Sequence, residues 1–473
     1  MSTLSPMSRT DTLRDEVRQL GALAWPIALA QFGLMAMSLV DTAVLGRVSS
    51  TDLAAAALGR NIGFSTQTLT MGLAMGLEPL ASQAVGANRP ERAWHALMAT
   101  LRTIGIAWFP TVLAAFAYTL VLPYIGASAE VTHRTRLFLL AWAPGLFAFP
   151  CFIAAKTFLQ AHGRTRPALV AAVVANVINF GVCNLLVRGD DALAAVHLPG
   201  VGLPRLGALG SGIALTISGA ILCVIVLRGA WALRPRETAR DAVSAREVLR
   251  YGLPVGAQLL AEIGVFALVS ILCGRFGDVG VSSNQIALGL ASFTFMGALG
   301  VSGATAVRVG NAIGAGKNAR RPGLTGIALG ALVMCAGVVG FTAAPAALVR
   351  MFSRDPEIVA LGTLLVRVAA LFQLFDGMQC VGAGALRGAG DVRFAFGAGV
   401  VSYWIIGLPL ALLFAFPLHH GVLGLWWGLS ASLVAAALLF LVRFWIITRE
   451  KPASEQETAE VERDPLAPRA AEY

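Results

Sequence analysis

WPIALAQFGLMAMSLVDTAVLGR, Trp25 to Arg47, is a helix-length apolar run interrupted by one acid, Asp41. At about 1.5 Å rise per residue, about 20 apolar residues cross a hydrocarbon layer about 30 Å thick, so the stretch reads as a transmembrane helix. A carboxylate inside that layer is costly unless it faces a partner or water. Asp41 is therefore the first candidate functional residue.

The same stretch returns later in the chain. Laying Pro26 over Pro254 also lays Gly46-Arg47 over Gly274-Arg275, an offset of 228 residues, and carries QAVGAN (Gln83 to Asn88) onto NAIGAG (Asn311 to Gly316). Further on, LQAHGRTR (Leu159 to Arg166) lies over LRGAGDVR (Leu386 to Arg393) at an offset of 227. Four landmarks in register indicate an internal duplication. The second copy of the opening helix, Tyr251 to Arg275, carries its own acid, Glu262, at a position that does not superpose on Asp41: the counterpart of Asp41 is Val269, and that of Glu262 is Leu34.

Composition supports the membrane reading. The chain is 57% hydrophobic and 13% charged, with a mean hydropathy of +0.73, whereas soluble domains carry about 25% charged residues. The net charge of +10 does not point to nucleic acid, because the basic residues sit in short turns between apolar runs and form no patch or stripe. The six cysteines all fall in apolar runs, without metal-ligand spacing, and read as small buried hydrophobes. The first 19 residues are polar and the run after them is long enough to span, so no cleavable signal peptide is expected.

Apolar runs at 20–45, 54–80, 96–122, 137–160, 167–187 and 207–232 are followed, after a polar linker, by runs at 251–274, 284–307, 323–349, 357–386, 394–416 and 421–447. The expected architecture is an all-α membrane protein of twelve transmembrane helices. It divides into a cytoplasmic segment 1–19, an amino-terminal six-helix lobe 20–232, a cytoplasmic linker 233–250, a carboxy-terminal six-helix lobe 251–447 and a tail 448–473. The tail is rich in Glu, Ala and Pro, and its composition predicts disorder. Six spans per half is an even number, so the two copies enter from the same side as parallel repeats. Of 36 Lys and Arg, about 25 fall on the side of the termini and linker and about 9 on the other, which places both termini in the cytoplasm.

Four acids lie within spans: Asp41, Glu78, Glu262 and Asp376. Glu78 precedes Pro79 near a basic loop and is the weaker candidate. Ser38 and Thr42 flank Asp41, Gln258 precedes Glu262 by one helical turn, and Gln373 and Gln379 bracket Asp376. Asn176, Asn179 and Cys183 form one stripe on the fifth span, and Thr216 lies in the sixth. Such stripes read either as walls of a wet cavity or as polar glue between helices in lipid. A carboxyl group is neutralised by a proton or by a cation, so an acid in an aqueous cavity can exchange a proton or sodium ion for an organic cation. Rival chemistry is not supported. GNAIGAGKN (Gly310 to Asn318) lacks the first glycine and the Ser or Thr of a phosphate loop, GAGALRG (Gly382 to Gly388) has the wrong spacing for a dinucleotide site, and there is no HExxH or GxSxG. No enzyme, cofactor or nucleic-acid partner is expected.

Together Pro26 with VDTAVLGRVSSTDLAA (Val40 to Ala56), EPLASQAVGA (Glu78 to Ala87) and ALRGAGD (Ala385 to Asp391) resemble the multidrug and toxic compound extrusion (MATE) transporters, over residues 15–450. The resemblance implies two six-helix lobes around a central cleft and alternating access driven by inward proton or sodium movement. It implies an amino-lobe cation site of Asp41, Asn179 and Thr216, carboxy-lobe acids Glu262 and Asp376, and a bending hinge at Pro26. Sodium, if used, would bind at Asp41 or at Glu262 and Asp376. Two departures weaken sodium sites and favour protons, since hard cations want oxygen ligands. The acid or amide often found four residues after Asn179 is Cys183, and the position of an aromatic hydroxyl in the carboxy-lobe site is Phe372.

The resulting expectation is a multidrug exporter of a bacterial inner membrane that moves small organic, mainly cationic compounds and needs only membrane lipid around it, with no obligate protein partner. The alternatives are a lipid-linked oligosaccharide flippase of the same superfamily, which would favour a cationic cleft, and a channel or intramembrane enzyme.

Overall fold

The computed structural model describes residues 12–194, 197, 199–200, 202–236 and 242–449. Parts of the expected amino-terminal segment (1–11), linker (237–241) and tail (450–473) lie outside them. The described residues fold into helices: α1 Leu13–Gly46, α2 Ser50–Met75, α3 Pro90–Tyr118, α4 Ala129–Ala161, α5 Arg166–Arg188, α6 Gly207–Trp231, α7 Ala245–Cys273, α8 Gly277–Gly314, α9 Arg320–Ala343, α10 Pro356–Ala389, α11 Val392–Ala415 and α12 Gly421–Ile447. Ten stretches of the described residues are long and apolar enough to cross a membrane, and one of them, Ala245–Gly314, holds both α7 and α8. With α2, the repeat counterpart of α8, these make the twelve expected spans.

Helices outrun the apolar runs where capping supports them. α1 begins at Leu13, where Thr12 and Asp15 form a reciprocal box (Asp15 N–H to Thr12 Oγ1, 3.3 Å; Thr12 N–H to Asp15 Oδ2, 3.0 Å). α7 begins at Ala245 because Ser244 accepts from the Glu247 N–H at 3.3 Å. The second span is broken at Gly76 into α2 and a short helix, Leu77–Gly86, whereas α8 runs unbroken. Pro79 explains the break: it has no N–H for the Met75 carbonyl, and its counterpart in α8 is Val307.

The duplication is visible as paired contacts between the lobes. Gly72 of α2 packs on Gly256 of α7, and their repeat counterparts, Gly300 of α8 and Ala28 of α1, pack the same way. Gln83 donates to the Gly388 carbonyl at 2.9 Å, and its counterpart Asn311 donates to the Ala161 carbonyl at 3.4 Å. Ser82 meets Gly310, which is its own counterpart, so the pseudo-twofold axis passes between these two residues. Small residues are needed here because lipid tails are as apolar as side chains, leaving close packing to hold helices together. A Cβ on Gly76 would stand 2.5 Å from the Gly252 Cα. Each lobe keeps its own apolar core, one including Phe152, Phe158 and Leu97, the other Tyr403, Trp426 and Phe440. A smaller cluster joins Leu20, Leu23, Ala24 and Ile27 of α1 to Val301, Ala304, Ile327 and Val381 of the other lobe.

Among the described residues two buried ion pairs cross the lobes without repeat counterparts, beside a more exposed one between Arg92 of α3 and Glu247 of α7. Glu16 of α1 binds Arg308 of α8 through two bonds of 3.0 and 2.7 Å, and Glu78 binds Arg387 of α10 at 2.9 Å. All four side chains are buried. Both buried pairs lie at the end of the bundle that carries the start of α1 and of α7.

Candidate functional site

Asp41 sits in the last two turns of α1, fully buried against α5. Asn179 and Cys183, one turn apart on α5, stand beside its carboxylate, and the Arg60 charge on α2 acts on it. Neither Asp41 oxygen accepts a well-formed hydrogen bond, and neither polar atom of the Asn179 side chain has a partner. The amino-lobe stripe therefore divides in function. Asn176 donates to the carbonyls of Gly33 and Ala172, both at 2.8 Å, and pins α5 to α1, while Asn179 stays unengaged beside the acid.

Thr216 is not among the groups that engage Asp41. Its hydroxyl donates to the Ala141 carbonyl of α4 at 2.6 Å, in the stretch loosened by Pro144 and Pro150. Gln67 serves that stretch similarly. It donates at 3.3 Å to the Leu146 carbonyl, whose helical partner would be the N–H that Pro150 lacks.

In the carboxy lobe the expected acids come together. One amide, Gln379 Nε2, donates to Glu262 Oε1 at 3.2 Å and to Asp376 Oδ1 at 3.3 Å, bridging α7 and α10. The carbonyl of the same amide accepts from the Tyr403 hydroxyl of α11 at 3.2 Å. Gln258 is buried one turn before Glu262, with its Oε1 unpaired and its stem against Gly399 of α11.

Phe372 lies one turn before Asp376 on α10, its ring 5.7 Å from that of Trp426 in the lobe core. The position expected to lack an aromatic hydroxyl thus does not decide the matter, because Tyr403 brings one from another helix. Tyr403 is fully buried within a π-helical turn, Val401–Gly407, just before Pro409. Such wide turns re-aim side chains and recur at functional sites. Its signal in the sequence was a lone phenol in the middle of an apolar run.

Glu78 is neither at the surface nor in either acid cluster; it is spent on Arg387, which also donates to Ser302 at 3.3 Å. Pro26 lies inside α1, which continues through it, about 22 Å along the axis from Asp41 at 1.5 Å per residue. Arg60 belongs to α2 and donates through Nη2 to Thr42 Oγ1 at 3.0 Å. An arginine several residues inside an expected span was the available signal. Among the described residues no group of His, Cys, Asp and Glu has the arrangement of a metal cluster.

The MatE family model matches residues 26–185 and again 254–413, one match in each half. A probable multidrug resistance protein NorM of Rhodopseudomonas palustris is 33% identical over 465 residues, covering 94% of this chain and 95% of that protein. The multidrug resistance protein MdtK of Pectobacterium atrosepticum is 29% identical over 454 residues, 93% of this chain and 97% of that one. Among solved structures, the eukaryotic MATE transporter AtDTX14 superposes with a TM-score of 0.82 at 21% identity, over 96% of this chain and 100% of that chain. A mutant of the Vibrio cholerae MATE transporter VcmN gives 0.82 at 18% identity, over 93% and 98%. With two matched repeats, twelve spans among the described residues and near full-length relatives, the chain belongs to the MatE family and is a multi-pass membrane transporter, not an enzyme.

Proposed function

We propose that this protein is a multidrug exporter of a bacterial inner membrane, which expels small organic, mainly cationic compounds in exchange for protons moving inward. The observation that carries the reading is the Asp41 carboxylate, buried where α1 meets α5 with no well-formed hydrogen bond to either oxygen. An acid so placed is stable when it binds a proton and costly when bare. It can therefore change the preferred arrangement of its lobe on each proton it takes or releases. The names of the relatives NorM and MdtK, multidrug resistance proteins, support drug export.

Glu262 and Asp376 are assigned to attraction of cationic substrate or to a second cation site, with Gln379 and Tyr403 orienting them. Three unpaired or amide-bridged acids in the lobes favour organic cations over the anionic lipid-linked sugars of a flippase. The expected preference for protons no longer draws on Phe372, since Tyr403 supplies a hydroxyl; it rests on Asp41, whose neighbours include a thiol and a guanidinium, which are poor company for sodium. Both termini are assigned to the cytoplasm by the charge asymmetry of the loops. The cross-lobe ion pairs then close the cytoplasmic end, and the arrangement is that of an outward-open step of alternating access.

The test is efflux of a cationic dye from proteoliposomes under a proton gradient or a sodium gradient. Export should follow the proton gradient, and Asp41→Asn, correctly folded and inserted, should abolish it. Dye movement driven by sodium alone, or a fully active Asp41→Asn, would overturn the reading.

A further inference from the structure

The group near Asp41 that the proposed exchange leaves unused is Arg60. Its guanidinium is held from one side only: Nη2 donates to Thr42 Oγ1 at 3.0 Å, and Thr42 itself donates to the Ser38 carbonyl at 2.9 Å, which fixes the hydroxyl. Nη1 is buried and has no partner, and both oxygens of the neighbouring Asp41 are likewise unpaired. Asp41 and Thr42 are consecutive on α1, so the hydrogen bond tethers a permanent positive charge beside the acid. The charges act on each other without closing into a hydrogen-bonded pair. The other groups facing Asp41 are Cys183 and Asn179 of α5.

We propose that Arg60 is the resident counter-cation of Asp41 and makes the amino-lobe site selective for protons over sodium. The inference rests on the reading of Asp41 as the coupling acid. The oxygens that could surround a sodium ion there are the two of Asp41, the Asn179 Oδ1 and the Thr42 Oγ1. Sodium needs several such oxygens at once. Arg60 engages the last of them and sets a like charge in the space the ion would enter. A proton needs no coordination shell and attaches to one Asp41 oxygen regardless. With Arg60 present the ionised site is neutral and the protonated site carries one positive charge, so proton entry also turns the amino lobe repulsive toward a bound organic cation. In the carboxy lobe the repeat counterpart of Arg60 is Leu288, and the cation whose charge reaches Glu262 is Arg387, which is already spent on Glu78.

The test measures retention of radioactive sodium by the purified full-length protein, in a Glu262→Gln/Asp376→Asn background that leaves Asp41 as the cleft acid. The background protein should retain no sodium. Adding Arg60→Gln should create sodium binding, which is lost again on further change of Asp41→Asn, while Arg60→Lys should leave the background result unchanged. Arg60→Met, similar in length and without donors, provides a second neutral variant should the glutamine protein fail to fold. Sodium bound equally with Arg60 in place, or bound in neither neutral variant, would overturn the inference. Dye efflux by the otherwise unaltered protein under a proton gradient is measured in parallel: its absence would refute the coupling role of Asp41, and the sodium measurement would still decide whether Arg60 excludes the ion.

Discussion

A buried carboxylate that accepts no well-formed hydrogen bond and a pair of carboxylates sharing one amide differ in what they can exchange. Asp41 belongs to the first kind, and Glu262 with Asp376 to the second. If the second kind holds cationic substrate, Glu262→Gln and Asp376→Asn should weaken binding of cationic drugs, while transport of a neutral substrate still responds to a pH gradient. Loss of all proton-driven transport in either variant, with Asp41→Asn remaining active, would reverse the roles. Tyr403 acts on this pair through Gln379 and is a positioning residue. Removing one neutral hydrogen bond costs about 1 kcal/mol, or roughly fivefold in affinity. Tyr403→Phe should therefore weaken cationic drug binding about fivefold and leave neutral substrates unaffected, as read by equilibrium dye binding; an equal loss for both would assign the tyrosine to packing alone.

At the scale of helices, α1 carries the acid near one end and Pro26 nearer the other. Pro26 leaves the Ala22 carbonyl without its helical partner, a site where bending is inexpensive. On the proposed cycle α1 must rearrange between its protonated and ionised forms. Pro26→Ala, which restores the missing bond, should then slow dye efflux more than it weakens dye binding. Matching losses in both would remove the hinge from the mechanism. α2 shows the complementary device: Gly76 and Pro79 interrupt it beside the lobe contact, where α8 is continuous.

For the whole molecule, the symmetric frame of small-residue contacts fits either lobe against the other, and the two buried ion pairs add an asymmetric lock at one end. Removing one partner of a buried pair leaves an uncompensated charge and costs about 3–5 kcal/mol. In a transporter that must part its lobes, the cost falls on the closed arrangement. Glu78→Gln should therefore raise hydrogen–deuterium exchange in Leu77–Gly86 and in the end of α10 around Arg387, leaving α3 unchanged. Unaltered exchange there would mean that the apolar and glycine contacts hold this end without the ion pair.

The sequence by itself determined the class, the span number, the duplication with its register, and the identity of the rare acids, because hydropathy and repeat offset are properties of the chain order. It brought Glu262 and Asp376 into one candidate set and marked Asp41. It could not say which face of each helix turns inward. In a soluble helix the apolar stripe marks the core, but here lipid and core are both apolar, so the pattern leaves the rotation of each helix undetermined. Only the tertiary structure decided that Arg60 turns toward Asp41, that Thr216 serves the α4 backbone, that Tyr403 and not position 372 brings a hydroxyl to the acid pair, and that Glu78 reaches across to Arg387. Each is a pairing between residues distant in the chain, fixed by how helices rotate and meet.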